Sequence, residues 1–87
     1  MTPDMELALP ARAENIAIVR HALGGFGEAF GLPEPKLSDI RLAVTEACAN
    51  VVVHAYPGDQ EGPMEVVASM EEEALTVLVR DWGRGIR

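Results

Sequence analysis

Apolar positions recur along this chain with two periods. Met5, Leu7 and Leu9 alternate with Glu6 and Ala8, the two-residue period of a half-buried strand, and Pro10 ends it. From about Ala13 to Phe30 the period changes. Ile16, Val19, Leu23, Phe26 and Phe30 are spaced by three and four residues, which predicts a helix with one core-facing stripe, while Arg12, Glu14, Arg20 and Glu28 stay in water. Gly24-Gly25 weakens that helix by about 1 kcal/mol per glycine relative to alanine. Gly31, Pro33 and Pro35 then form a firm stop.

A second helix is predicted from near Ser38, a good N-cap ahead of Asp39, to about His54. At about 100° per residue, Ile40, Val44, Ala47 and Val51 fall in a stripe roughly 60° wide, and Leu42, Ala49 and Val53 form a second apolar flank. Between the flanks run Asp39, Ala43, Glu46, Asn50 and His54. A polar strip hemmed by two apolar rows reads as a pocket wall, with packing expected on either side.

Tyr56-Pro-Gly-Asp-Gln-Glu-Gly-Pro63 is a turn-rich loop by composition. Beyond it Met64, Val66, Ala68 and Met70 alternate in one strand and Leu75, Val77 and Val79 in another. Glu71-Glu72-Glu73 joins them and reads as a solvated turn, because three consecutive carboxylates splay apart. There is no internal repeat, low-complexity tract or linker. The order strand, helix, helix, strand, strand predicts an α+β sandwich with the helices on one face of the sheet.

Composition narrows the chemistry. The 87 residues allow one small domain, and 48% hydrophobic content with one Trp, one Tyr and two Phe indicates an aliphatic core. A formal charge of −7, with Lys36 the only lysine, argues against direct nucleic-acid binding, which needs clustered cations to neutralise phosphates. No G-x-x-x-x-G-K is present, so a P-loop is excluded, and a triphosphate here requires Mg²⁺ to offset the acidic surroundings. Cys48 is the single cysteine, which rules out an intrachain disulfide and fits a reducing cytoplasm; on the helix pattern it reads as a small core residue. No apolar run approaches the ~20 residues of a membrane span, and Met1-Thr-Pro-Asp-Met-Glu6 lacks a basic signal-peptide start.

Two segments carry the chemistry. Glu46 and Asn50 lie one helical turn apart and face a common volume, where an amide oxygen suits Mg²⁺ and a carboxylate can accept a proton from an attacking hydroxyl. Alone, such a pair also fits an ordinary soluble helix face. Asp81 follows Leu75-Thr-Val-Leu-Val-Arg80 at a strand end, where an ionised carboxylate can accept from an exocyclic amine such as that of adenine. Gly83 and Gly85 remove two Cβ atoms beside it, a pattern that an ordinary D-x-G turn also shows. His54, further along the strip, fits a helix-end or pocket-lining group better than a transition-metal ligand, since Asn is a poor partner for zinc-type metals. Arg20 and His21 read as solvent-facing charge.

Glu46-Ala-Cys-Ala-Asn50-Val-Val-Val-His54-Ala-Tyr56 resembles the N box of the GHKL (Bergerat-fold) ATPases, in the version found in bacterial anti-sigma-factor serine kinases. Asp81-Trp-Gly83-Arg-Gly85 resembles their first glycine box, and Leu7 through Arg20 their opening strand and helix. The resemblance implies a two-layer α/β sandwich with a mixed sheet, and makes 1–87 a single histidine-kinase-like ATPase domain. It implies Glu46 as general base, Asn50 as Mg²⁺ ligand, Asp81 as adenine contact, and Gly83 and Gly85 as shapers of the base pocket. Arg20 matches an arginine of the family's first helix that faces protein partners. Family members bind an alternative sigma factor, phosphorylate a serine on an anti-anti-sigma antagonist and commonly form homodimers. They also continue beyond the position of Arg87 with an ATP lid, a second glycine-rich box, another helix and further strand, so the domain is expected to be incomplete at its C-terminus.

Three functions follow as expectations. The first is a cytoplasmic, ATP- and Mg²⁺-dependent anti-sigma serine kinase acting in transcription regulation. The second is a non-enzymatic partner-binding module with a degenerate nucleotide pocket, which transfer of labelled phosphate from ATP to an antagonist would distinguish. The third is the catalytic domain of another GHKL enzyme such as a sensor histidine kinase, which a phosphoacceptor histidine helix upstream would favour.

Overall fold

A computed structural model describes residues 2–56, 62–72 and 74–83. Strand β1 (Met5–Pro10) leads to helix α1 (Ala13–Ala29) and helix α2 (Glu34–His54), followed by strands β2 (Pro63–Glu71) and β3 (Ala74–Asp81). The element order is the one the periodicities predict. The strands form one sheet in the order β1-β2-β3. Both pairings are antiparallel, so the expected mixed character of the sheet is not seen among the described residues.

Register follows from the alternation, because a slip of one residue would turn every core side chain to the outer face. Leu7 pairs with Val66 and Val66 with Val79; Met5 pairs with Ala68 and Ala68 with Val77. The inward residues of central β2, Met64, Val66 and Ala68, are at most 1% exposed. They meet Val19 and Leu23 of α1 and Val44, Cys48 and Val51 of α2 in one core, with Ala55 closing it below α2. On the outer face Arg80 donates to Glu65 at 2.9 Å, a surface pair of small energetic weight. The β2–β3 turn passes through Glu72, at φ 56°, with Glu71 and Glu72 exposed; Glu73 lies outside the described residues.

The helices depart from expectation in three places. Helix α2 starts at Glu34 with Pro33 as its N-cap, not near Ser38. Pro35 falls in the first turn, where a missing N–H costs nothing because no intrahelical acceptor exists for it. The stop before it comes from Gly31, which takes φ +73° while its N–H donates to the Glu28 carbonyl and the Leu32 N–H to the Gly27 carbonyl, a Schellman pair. Phe30, assigned to the core stripe, is 48% exposed: the helix ends beneath it, and its ring packs on Phe26 with centroids 4.7 Å apart.

The third departure concerns the two flanks of α2. Of the first flank, Val44 and Val51 are buried, Ile40 packs against the core and Ala47 is half-buried; Leu37 and Cys48, outside that flank, are buried beside them. Leu42 and Val53 of the second are 62% and 67% exposed. Ala49, the small residue between them, is half-buried, so the predicted packing is not seen at the two large side chains of this flank.

Candidate functional site

Helix α2 and strand β3 finish side by side. A Cβ on Gly83 would run into the carbonyl oxygen of Ala55, so the backbone after β3 lies directly against the residue that ends α2. One residue earlier, the Trp82 N–H donates to the Tyr56 hydroxyl at 3.0 Å. The same hydroxyl donates to the Pro63 carbonyl at 2.6 Å, where β2 begins. Three chain segments therefore meet at one side chain.

Asp81 sits in this joint. It pairs with Met64, which pairs with Leu9, so by the two-residue strand period it continues the inward row of Leu75, Val77 and Val79. It is nevertheless exposed, a carboxylate on the helix-facing side of the sheet at the point where the apolar row ends. Its Oδ1 accepts the Gly83 N–H at 2.9 Å, which orients the carboxylate and leaves Oδ2 without a hydrogen bond among the described residues.

Glu46 and Asn50 lie on the exposed surface of α2, one turn apart. At 1.5 Å per residue Asn50 stands about 7.5 Å along the axis from Ala55, the residue that Gly83, two residues past Asp81, abuts. His54 is exposed at the last position of α2. The oxygens of Asn50, Glu46 and Asp81 are hard donors of the kind that Mg²⁺ prefers. The helix that bears the first two and the strand that bears the third meet at the Ala55–Gly83 contact, and Glu46, nine residues before Ala55, stands about 13.5 Å from it along the helix axis. Gly85 lies outside the described residues, as does the stretch 57–61 of the loop read over Tyr56–Pro63.

Cys48 points the other way. It is fully buried in the core, and burial pushes its thiol above the ordinary value, which suits an inert packing residue and not a nucleophile.

Arg20 is remote from this end. It is exposed on α1 and borders two adjoining cavities between α1 and α2, one of about 370 Å³ with Ala17, His21, Gly24, Gly25 and Arg41, the other of about 320 Å³ reaching Ser38, Asp39 and Thr45. Arg41 donates to Glu34 at 2.9 Å and its other terminal nitrogen lies over Gly24, where an added Cβ would stand 3.1 Å away. His21 donates from Nδ1 to the Ala17 carbonyl at 2.8 Å.

Neither Tyr56 nor Arg41 stands out as a site residue in the sequence alone. Tyr56 is the chain's one tyrosine and directly follows the helix, a clue to a specific contact, but its partners are set by the tertiary fold. Among the described residues no helix is long and apolar enough to cross a membrane.

A family model for the histidine kinase-like ATPase domain matches residues 9–87. The chain is 35% identical over 79 residues to proteins named serine-protein kinase RsbW from Bacillus subtilis (strain 168) and Bacillus licheniformis, with 91% of this chain and 49% of each relative covered. A protein of the same name from Bacillus mycoides (strain KBAB4) matches to the same extent. The chain thus spans about half the length of the curated relatives it matches. Because the family match runs through the α2 and β3 segments that build the joint, the sequence resemblance and the observed fold converge: the chain belongs to the histidine kinase-like (GHKL) ATPase family.

Proposed function

We propose that residues 1–87 belong to a single histidine-kinase-like ATPase domain, which they leave incomplete at its C-terminus, serving a bacterial anti-sigma-factor serine kinase. The protein binds ATP, phosphorylates a serine of an anti-anti-sigma antagonist, and holds an alternative sigma factor in an exchangeable complex. It works in the cytoplasm as a homodimer, without direct contact to nucleic acid or membrane. Family membership and relatives named as serine-protein kinases support the kinase reading.

In this reading the adenine amine donates to Asp81 Oδ2, the oxygen left open by the Gly83 hydrogen bond, and Gly83 with Gly85 lets the backbone approach the base. Asn50 would hold Mg²⁺ through its amide oxygen, and such an ion would supply positive charge against the phosphates. Glu46 takes the proton from the serine hydroxyl; the serine oxygen bonds to the γ-phosphorus, and the bond from that phosphorus to the bridging oxygen breaks to release ADP. Arg20, remote from the joint, faces a protein partner.

The observation that carries the reading is the α2–β3 joint, which brings Asp81 to the end of the helix that bears Glu46 and Asn50. Isothermal calorimetry of the full-length protein with Mg·ADP and Mg·ATP tests it. Heat is expected with both, and folded protein giving none would end the nucleotide reading. Labelled phosphate appearing on the antagonist's serine is expected next; nucleotide binding without transfer would make the protein a binding module.

A further inference from the structure

We propose that Tyr56 is a positioning residue for base recognition, holding the Asp81–Gly83 turn at the angle the adenine contact needs without touching the nucleotide. The inference rests on the reading of Asp81 as the base contact. Its observations are independent of that reading.

Trp82 is the first residue past β3, so its N–H has no partner in the β2–β3 ladder and takes the Tyr56 hydroxyl instead. Tyr56 is itself fixed twice over. Its hydroxyl donates to Pro63, and its ring lies so close to Gly62 that a Cβ there would overlap it. The Gly62 carbonyl in turn accepts the Ala11 N–H at 2.9 Å, which ties the seat of the ring to the end of β1. The turn is thereby held on both sides: Asp81 by its pairing with Met64, Trp82 by Tyr56, and Gly83 by the wall of Ala55.

The Asp81 carboxylate takes its orientation from the Gly83 N–H, two residues on. The Tyr56 hydroxyl holds the Asp81–Trp82 peptide and the Ala55 backbone confines Gly83 on the far side of the Trp82 Cα, so the donor that orients the carboxylate is held between two restraints, and releasing the Trp82 amide frees one of them. A hydroxyl that holds the Trp82 amide therefore sets the direction in which Asp81 presents its free oxygen. A single oxygen atom on Tyr56 controls a geometry that Asp81 alone cannot fix.

The test compares the full-length parent with Tyr56→Phe, Asp81→Asn and the double variant, titrating ADP and GDP and following the fluorescence of Trp82, the one tryptophan of residues 1–87. Tyr56→Phe should weaken ADP roughly three- to tenfold, the worth of one neutral hydrogen bond. GDP should weaken less, so that discrimination between the bases narrows. In the Asp81→Asn background, removing the hydroxyl should cost nothing further, since the group it orients is gone. Unchanged ADP affinity, equal losses for ADP and GDP, or additive effects in the double variant would each overturn the role of Tyr56. A parent that binds neither nucleotide overturns the base-contact reading first, and this inference with it. Hydrogen exchange on the parent provides a readout that needs no variant: the Trp82 amide should be protected and gain protection with ADP, and a fast-exchanging Trp82 amide in folded protein would overturn the proposal.

Discussion

At the ends of α2 and β3 a Cβ on Gly83 would strike the Ala55 carbonyl, whereas in the second half of α1 a Cβ on Gly25 would meet nothing within 4 Å. The first glycine is there because two backbones touch. The second leaves open space on a cavity wall, beside Arg20 and Arg41. The joint is held by hydrogen bonds through Tyr56 and by the apolar rows of the sheet, so its groups have few alternative positions. The groove is rimmed by side chains that reach the surface, and among the described residues the Arg41 side chain is tied to an exposed Glu34 alone. A rigid end suits chemistry that depends on angle and distance, and an open groove suits a surface that a partner completes.

The largest expected effects lie on the joint side. Glu46→Gln should slow phosphoryl transfer by roughly 10² to 10⁴ while leaving ADP affinity nearly intact, the signature of a lost general base. Asn50→Ala should remove the Mg²⁺-dependent part of nucleotide binding. If single-turnover transfer by both variants matched the parent, the polar strip of α2 would be structural only, and the contrast with the groove would collapse.

Next in size is Asp81→Asn. Exchanging a carboxylate for an amide of the same shape removes the charge-assisted bond to adenine, which should weaken ADP by about 1.5 to 3 kcal/mol, or roughly 10- to 150-fold. Guanine carries a carbonyl where adenine has its amine, so the parent should reject GDP and the variant should discriminate less. A turn former would be replaced by Asn without loss, and equal ADP titrations in a folded variant would remove Asp81 from the site.

Gly83→Ala tests how rigid the joint is. The new Cβ meets backbone, which cannot rotate away as a side chain could, so the chain after β3 must shift. Overpacking of this kind costs about 1 to 3 kcal/mol, and the shift carries the Asp81 turn with it. Lower unfolding free energy together with weaker ADP binding is expected. A variant with parental stability would mean that the joint is loose.

How much of this could be read in the chain depends on how local the cause is. The strands were legible because alternation is set by the pleat, and the same alternation that marks Leu75, Val77 and Val79 carries Asp81 into the inward row. The start of α2 was not, because Pro33 and Pro35 read as breakers until their place in the cap and first turn is known. Phe30 keeps the helical period but lies where the helix ends, and period alone cannot report what stands opposite. Leu42 and Val53 fail for the same reason. Glu46, Asn50 and Asp81 could be named from motif and chemistry, while Tyr56 acquires its role from partners seven and twenty-six residues away, which no window of sequence displays.

The smallest effect has the opposite sign and sets the groove against the joint most directly. Gly25 is exposed and interior to α1, so it carries the full conformational cost of glycine in a helix with no close contact to justify it. Gly25→Ala should therefore stabilise the protein by about 0.4 to 1 kcal/mol, seen as a higher denaturation midpoint with an unchanged slope. Gly24→Ala should gain less, since its Cβ presses on the end of the Arg41 side chain, which can give way. Nucleotide affinity should stay at the parental value in both, because neither residue borders the joint. If the groove receives a partner, the added methyl at Gly25 stands in its path, and partner binding should weaken even as the free protein becomes more stable. A destabilised Gly25→Ala would show that the space beside it is already filled in solution, and the distinction between a packed end and an open one would have to be withdrawn.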